Sequence, residues 1–252
     1  MSETRFVLPT APIVEAVVDI DCDLPPNVDI EALDTAGNAA YGDCYPRAQR
    51  RMFNAHQTVM VPGQPPQVTS SEGWQAHQYL SDDGKQLVQV RPNGFSFNRL
   101  APYSSLDDYL PEIERTWQLY VELARPLVCR AVRMRYINRI ELPLTAGRVN
   151  LDEFLTAPPR PADEATLHLS GFFQQQNVVE TATGHQAVVV LAPQLRTQDR
   201  LSLIFDITAM ASDDVEPGNW TAISGKMAQL RDLKNLIFRK TLTERCLQIF
   251  NT

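Results

Sequence analysis

Alternation of apolar and polar residues is clearest over residues 127–142, LVCRAVRMRYINRIEL. Val132, Met134, Tyr136, Ile140 and Leu142 hold even positions, with Asn138 as the exception. Arg133, Arg135, Arg139 and Glu141 hold odd ones. Successive strand residues point to opposite sides, so this stretch predicts a strand with one apolar and one basic face. Residues 12–23 predict a second strand. Val14, Ala16, Val18, Ile20 and Cys22 share one side, and Glu15, Asp19, Asp21 and Asp23 lie on the other with Ile13 and Val17. Pro25 and Pro26 end it, because proline cannot donate to a ladder.

Between these two strands the pattern predicts a helix over 28–40 capped by Asn27, and a second short helical stretch holding Arg47, Arg50 and Arg51. A short strand over 57–61 and a breaker-rich loop over 62–73 follow. Strands over 74–80, 85–91 and 95–100 are joined by turns at 81–84 and 92–94. Ser105 opens a helix, with Asp108 completing a capping box. Leu106, Tyr109, Leu110, Ile113, Trp117, Tyr120 and Ala124 form its apolar stripe. Pro111 inside it predicts a bend or a broken first turn. Beyond the Arg-rich strand come a short helix over 151–155, a loop over 157–163, strands over 166–179, 185–191 and 200–209, and a helical segment over 220–250. The uninterrupted AVVVL run of the middle strand suits a central position.

The order strand, helix, antiparallel strands, long helix thus occurs twice, over about 12–126 and 127–252. The expected fold is α+β: a single domain of two pseudo-repeats forming one large antiparallel sheet, with the long helices on one face. The two leading strands are expected to meet antiparallel at its centre. The polar face of the first is acidic and that of the second basic, which predicts that most of these arginines are neutralised within the sheet. The polar face of the sheet would be left for binding.

Charge and composition narrow the function. The chain has 252 residues, 44% of them hydrophobic, and a net charge of -7. That acidity argues against a nucleic-acid partner. No apolar run is long enough to span a membrane, and the first residues lack the apolar core of a signal peptide, so a cytoplasmic protein is expected. Cys22, Cys44, Cys129 and Cys246 are widely spaced and read as free thiols.

Motifs for catalysis are missing from the sequence. It holds no HExxH, no pair of CxxC motifs, no GxGxxG after a strand and no GxSxG. No cofactor, metal or catalytic residue is assigned. His77 and His168 could meet as a metal or acid–base pair, or each could be a hydrogen-bonded strand histidine. The acidic pairs at 82–83 and 107–108 suit a turn and a helix start, and the pair at 213–214 lies in a loop. What stands out is a repeated Asn-Arg, in Phe97-Asn98-Arg99-Leu100 and Ile137-Asn138-Arg139-Ile140. It reads either as a strand-end lock, with Asn on backbone and Arg on a carboxylate, or as a pair of anion-recognising arginines. The candidate ligand- or partner-binding residues are Arg99, Arg133, Arg135, Arg139 and Asn138.

The stretches Pro12-Ile13-Val14-Glu15-Ala16-Val17, Phe97-Asn98-Arg99-Leu100 leading to Pro102-Tyr103, Arg135-Tyr136-Ile137-Asn138-Arg139-Ile140, and Ile237-Phe238 to Leu242-Thr243 carry a resemblance. The chain resembles a sporadically distributed bacterial family of proteins of this length and of unknown function. The resemblance brings no catalytic residues. The patchy distribution it implies is that of mobile genes, including those of phage defence. The leading expectation is a non-enzymatic binding or interaction protein with a protein partner or as a homo-oligomer, an accessory subunit of such a system. The alternatives are a small-ligand or nucleotide sensor using the Arg-lined sheet face, and a hydrolase or nuclease with an unrecognised site.

Overall fold

Backbone pairing gathers the strands into one sheet. The computed structural model describes residues 8–26, 28–59, 67–162, 166–167, 169–197 and 199–251. The strands are β1 (Ile13–Asp23), β2 (Arg47–Val59), β3 (Gln67–Leu80), β4 (Gln86–Arg91), β5 (Gly94–Leu100), β6 (Val128–Pro143), β7 (Gln174–Val179), β8 (Gln186–Arg196) and β9 (Arg200–Ala211). Helices α1 (Ile30–Tyr41), α2 (Leu106–Ala124), α3 (Trp220–Thr241) and α4 (Glu244–Gln248) complete the chain, with a 3-10 turn at Leu151–Glu153. The sheet order is β2-β3-β4-β5-β1-β6-β9-β8-β7, and every pairing is antiparallel. An antiparallel sheet can keep one face packed and leave the other to solvent.

At the middle, β1 and β6 lie side by side, with Asp19 opposite Arg133 and Val17 opposite Arg135. Their apolar faces share one side. Val18, Ile20, Phe95, Phe97, Val132, Met134 and Tyr136 pack there against Ile113, Trp117 and Tyr120 of α2 and Met227 and Leu230 of α3. A second part of the core joins Ile140, Leu142, Leu203, Phe205 and Ile207 to Phe238, Leu247 and Phe250. Helices α2 and α3 therefore cover the same sheet face, as their stripes require.

Local signals hold at the starts of helices. Ser105 accepts a hydrogen bond from the Asp108 amide, and Asn219 accepts one from Ala222 at the start of α3. Asp29 accepts from the Ala32 amide at the start of α1, and Asn27 lies outside the described residues. Helix α2 runs unbroken through Pro111, at the cost of one backbone bond.

Several expectations fail for a shared reason. Residues 47–51 are not helical, and 67–73 are not a loop. They belong to the β2–β3 hairpin, which continues as a two-stranded ribbon where β4 stops pairing at His77. Cross-strand hydrogen bonds outweigh the local preferences of both segments. Among the described residues of the strand expected over 166–179, Gln174–Val179 are the paired ones. The AVVVL strand, β8, is paired on both sides but lies one place from the sheet edge. The helical segment over 220–250 breaks where Leu242 turns extended, and Thr243 caps α4.

Candidate functional site

The uncovered sheet face holds three of the five candidate residues, each beside a carboxylate. Arg133 pairs with Asp21 of β1. Arg135 reaches the other way, to Asp206 of β9 at 2.6 Å, and this hydrogen-bonded pairing raises the pKa of its guanidinium. Arg139 lies 3.5 Å from Glu141 on its own strand. On the β1 side, Arg91 contacts Asp21 at 3.1 Å, and Ser96 donates to Asp19 at 2.5 Å. Side-chain amides extend the pattern toward β2: Gln49 donates to Gln78, Gln78 to Gln89, Gln89 to Asn98, and Asn98 to Glu15, over 2.7 to 2.9 Å. The arginine row is thus neutralised within the sheet, with one partner from β1, one from β9 and one from β6 itself.

Arg99 and Asn138 lie elsewhere. Strand parity puts both on the helix-covered face, opposite to Arg139. Arg99 sits 5.1 Å above the Tyr109 ring and reaches Gln86 at 3.4 Å. Asn138 is buried and donates to the Phe205 carbonyl at 2.9 Å and the Tyr136 carbonyl at 3.3 Å. The two Asn-Arg pairs are therefore inverted with respect to each other. The second fits the strand-lock reading in both residues, whereas Asn98 of the first bonds side chains rather than backbone.

Asn138 opens onto a different feature, a cleft of about 800 Å³ on the helix side. Tyr136 and Asn138 of β6 line its inner end. The Leu8–Ile13 approach to β1, the Tyr103–Leu106 entry to α2 and one side of α3 wall it. This volume lies within the range of small-molecule sites. Lys234 of α3 projects here from a position flanked, one turn either way, by buried Leu230 and Phe238. It is only 8% exposed. Its ammonium rests 4.1 Å from the Tyr136 ring centre and has no carboxylate partner among the described residues. Burial, aided by the neighbouring Arg231 charge, lowers its pKa to about 8.

The surrounding groups are committed to each other. Arg231 is held by Asp107 at 2.8 Å and Asp232 at 3.6 Å. The Tyr103 and Tyr136 hydroxyls lie 3.4 Å apart, and burial pushes the Tyr136 phenol up to about 12. The Tyr103 phenol is raised as well, first by burial.

Reading the sequence overlooked Lys234. The signal was a lysine at a position where the α3 stripe of Ile223, Met227 and Leu230 calls for an apolar residue.

Among the described residues no three His, Cys, Asp or Glu side chains are arranged to hold a metal ion. His77 instead lies 2.9 Å from Asp34 of α1, and His168 is outside the described residues. Cys22 and Cys129 are buried free thiols facing each other across the β1–β6 pair at 3.8 Å. No described helix is long and apolar enough to cross a membrane. No protein-family model matches the chain, and no curated protein matches it.

Proposed function

We propose that the protein is a non-enzymatic binding protein whose ligand seat is the helix-side cleft rather than the arginine row. One observation carries this reading: a lysine buried in the wall of a cleft of about 800 Å³ without a counter-charge among the described residues. Burying an unpaired charge is costly, and residues that impose such a cost tend to gather at functional sites. The arginine row lacks this property, since each guanidinium already has its carboxylate. We read the sheet as two similar halves meeting at the β1–β6 seam, with β2 to β5 on one side and β9 to β7 on the other. On that reading the cleft lies beside the seam, where Tyr136 and Asn138 come from β6 and Ile13 from β1.

Ligand-detected NMR of a fragment library against the wild type and Asn235→Trp tests the proposal. Asn235 is half-buried in the cleft wall, and an indole there fills the space. Fragments are expected to bind the wild type and to lose binding in the variant, with the circular dichroism spectrum unchanged. Fragments that bind both proteins equally would place the seat elsewhere.

A protein partner or a second copy of the chain is a compatible reading, favoured by β7. Its outer edge pairs with no described strand, and Phe173 and Val179 beside it are 70% and 63% exposed. Free edges of this kind accept an added strand. Size-exclusion chromatography with light scattering on wild type and Val179→Lys would test it. An oligomer lost in the variant is the expected result.

A further inference from the structure

We propose, on the strength of the cleft reading above, that the ligand is a small monocarboxylate with an apolar body, its carboxylate ion-paired to Lys234. Lys234 lacks a carboxylate partner among the described residues. Among the described residues its ammonium is held by the Tyr136 ring, 4.1 Å away, a contact that favours a cation but does not neutralise it. The acids of the cleft are engaged: Asp107 and Asp232 hold Arg231, and Asp108 has a partner of its own. No acid among the described residues is left to match it, so the counter-charge is assigned to a bound ligand.

The balance of charge sets its valence. Arg231 is already held by Asp107 and Asp232, and Asp108 and Arg239 have partners of their own, which leaves the single charge of Lys234 and suits a monoanion. A phosphate dianion would leave negative charge without a partner. The remaining wall sets the body of the ligand. Leu8, Pro9, Pro12, Ile13 and Phe238 offer an apolar surface, so an alkyl or aryl group gains by leaving water there. Asn138, fixed by its bonds to the Tyr136 and Phe205 carbonyls, keeps the inner end of the cleft in place.

Protonation gives the site a signature. The free lysine, with a pKa near 8, must be charged to hold a carboxylate. Affinity should therefore fall as pH rises above about 8. The groups that face it are Arg231, Asp232 and Arg239 of α3, Asp107 and Asp108 of α2, Tyr103 and Tyr136. The residue 8–13 wall contributes no titratable side chain. Both phenols are raised, so Lys234 dominates this window.

Calorimetric titration with benzoate and hexanoate, each against its neutral amide, tests the proposal at about pH 7 and about pH 9.5. At the lower pH each acid should bind about tenfold or more tightly than its amide. Lys234→Met, with its fold checked by circular dichroism, should abolish that preference. Lys234→Arg should retain it at the higher pH, where the wild type has lost most of it, because a guanidinium stays charged. If acids and amides bind alike and both are excluded by Asn235→Trp, the cleft is still the seat and the anion proposal is overturned. If neither acids nor amides bind, both readings are overturned.

Discussion

The open sheet face and the helix-side cleft both display basic side chains, yet they solve opposite problems. On the open face, Arg133 and Arg135 alternate with carboxylates set by strand register, and each charge finds its partner at a side-chain distance. In the cleft, Lys234 is more deeply buried and has no such partner among the described residues. A row of charges that looks unmatched in one dimension is thus matched in three. A single lysine inside an apolar stripe is where the fold gives up stability. The difference shows that unmatched charge, rather than the amount of charge, marks the better candidate for a site.

Substitutions can break this contrast. The largest effect is expected for Asp21→Ala, which takes a carboxylate from both Arg133 and Arg91. Hydrogen bonds to charged groups contribute about 1.5–3 kcal/mol, so urea unfolding should show a loss of that order. A change under about 0.5 kcal/mol would show that the open-face pairs are screened into insignificance.

Lys234→Met should act in the opposite direction. It removes a buried charge while keeping an unbranched side chain, and a gain of about 0.5–2 kcal/mol is expected. A destabilised variant would mean that the cation–π contact with Tyr136 outweighs desolvation. The same pair of proteins sharpens the point through pH. Burial lowers the folded-state pKa of Lys234 from 10.5 to about 8. Between these values the unfolded chain binds more protons, so this group makes stability rise with pH across the window. Its penalty is fully present below pH 8 and relieved as pH climbs toward 10.5. The stability gap between Lys234→Met and wild type should therefore narrow from about pH 7 to about pH 10. A constant gap would contradict a buried, depressed lysine.

The smallest effect belongs to Arg139→Ala. Arg139 is more than half exposed, and its 3.5 Å contact with Glu141 is long. Exposed pairs of this kind contribute little, so thermal melts should show less than about 0.5 kcal/mol. A larger loss would indicate that Arg139 has a role beyond this pair.

Much of the fold was legible where period and capping agreed. The two faces of β1 and β6, the hairpins from β3 to β5, and the stripe and cap of α2 all appear in the sequence and recur in the structure. Prediction failed where pairing partners decide. The arginines at 47, 50 and 51 carry no strand signal of their own, and β3 draws them into the sheet. Of the candidate residues, parity separated Arg99 from Arg133, Arg135 and Arg139. Asn138 was singled out for recognition and is a buried backbone anchor at the edge of the cleft.

By itself, the sequence determined which faces are apolar, where helices α2 and α3 begin, and that acid on one leading strand could answer base on the other. These follow from residue spacing, because side-chain direction in a strand or helix repeats with a short period. Only the tertiary structure decided that Arg135 would pair with β9 rather than β1, and that Lys234 would line a cleft with no described carboxylate paired to it. The reason is physical: whether a charge is matched depends on neighbours brought from distant parts of the chain, and local spacing holds no record of them.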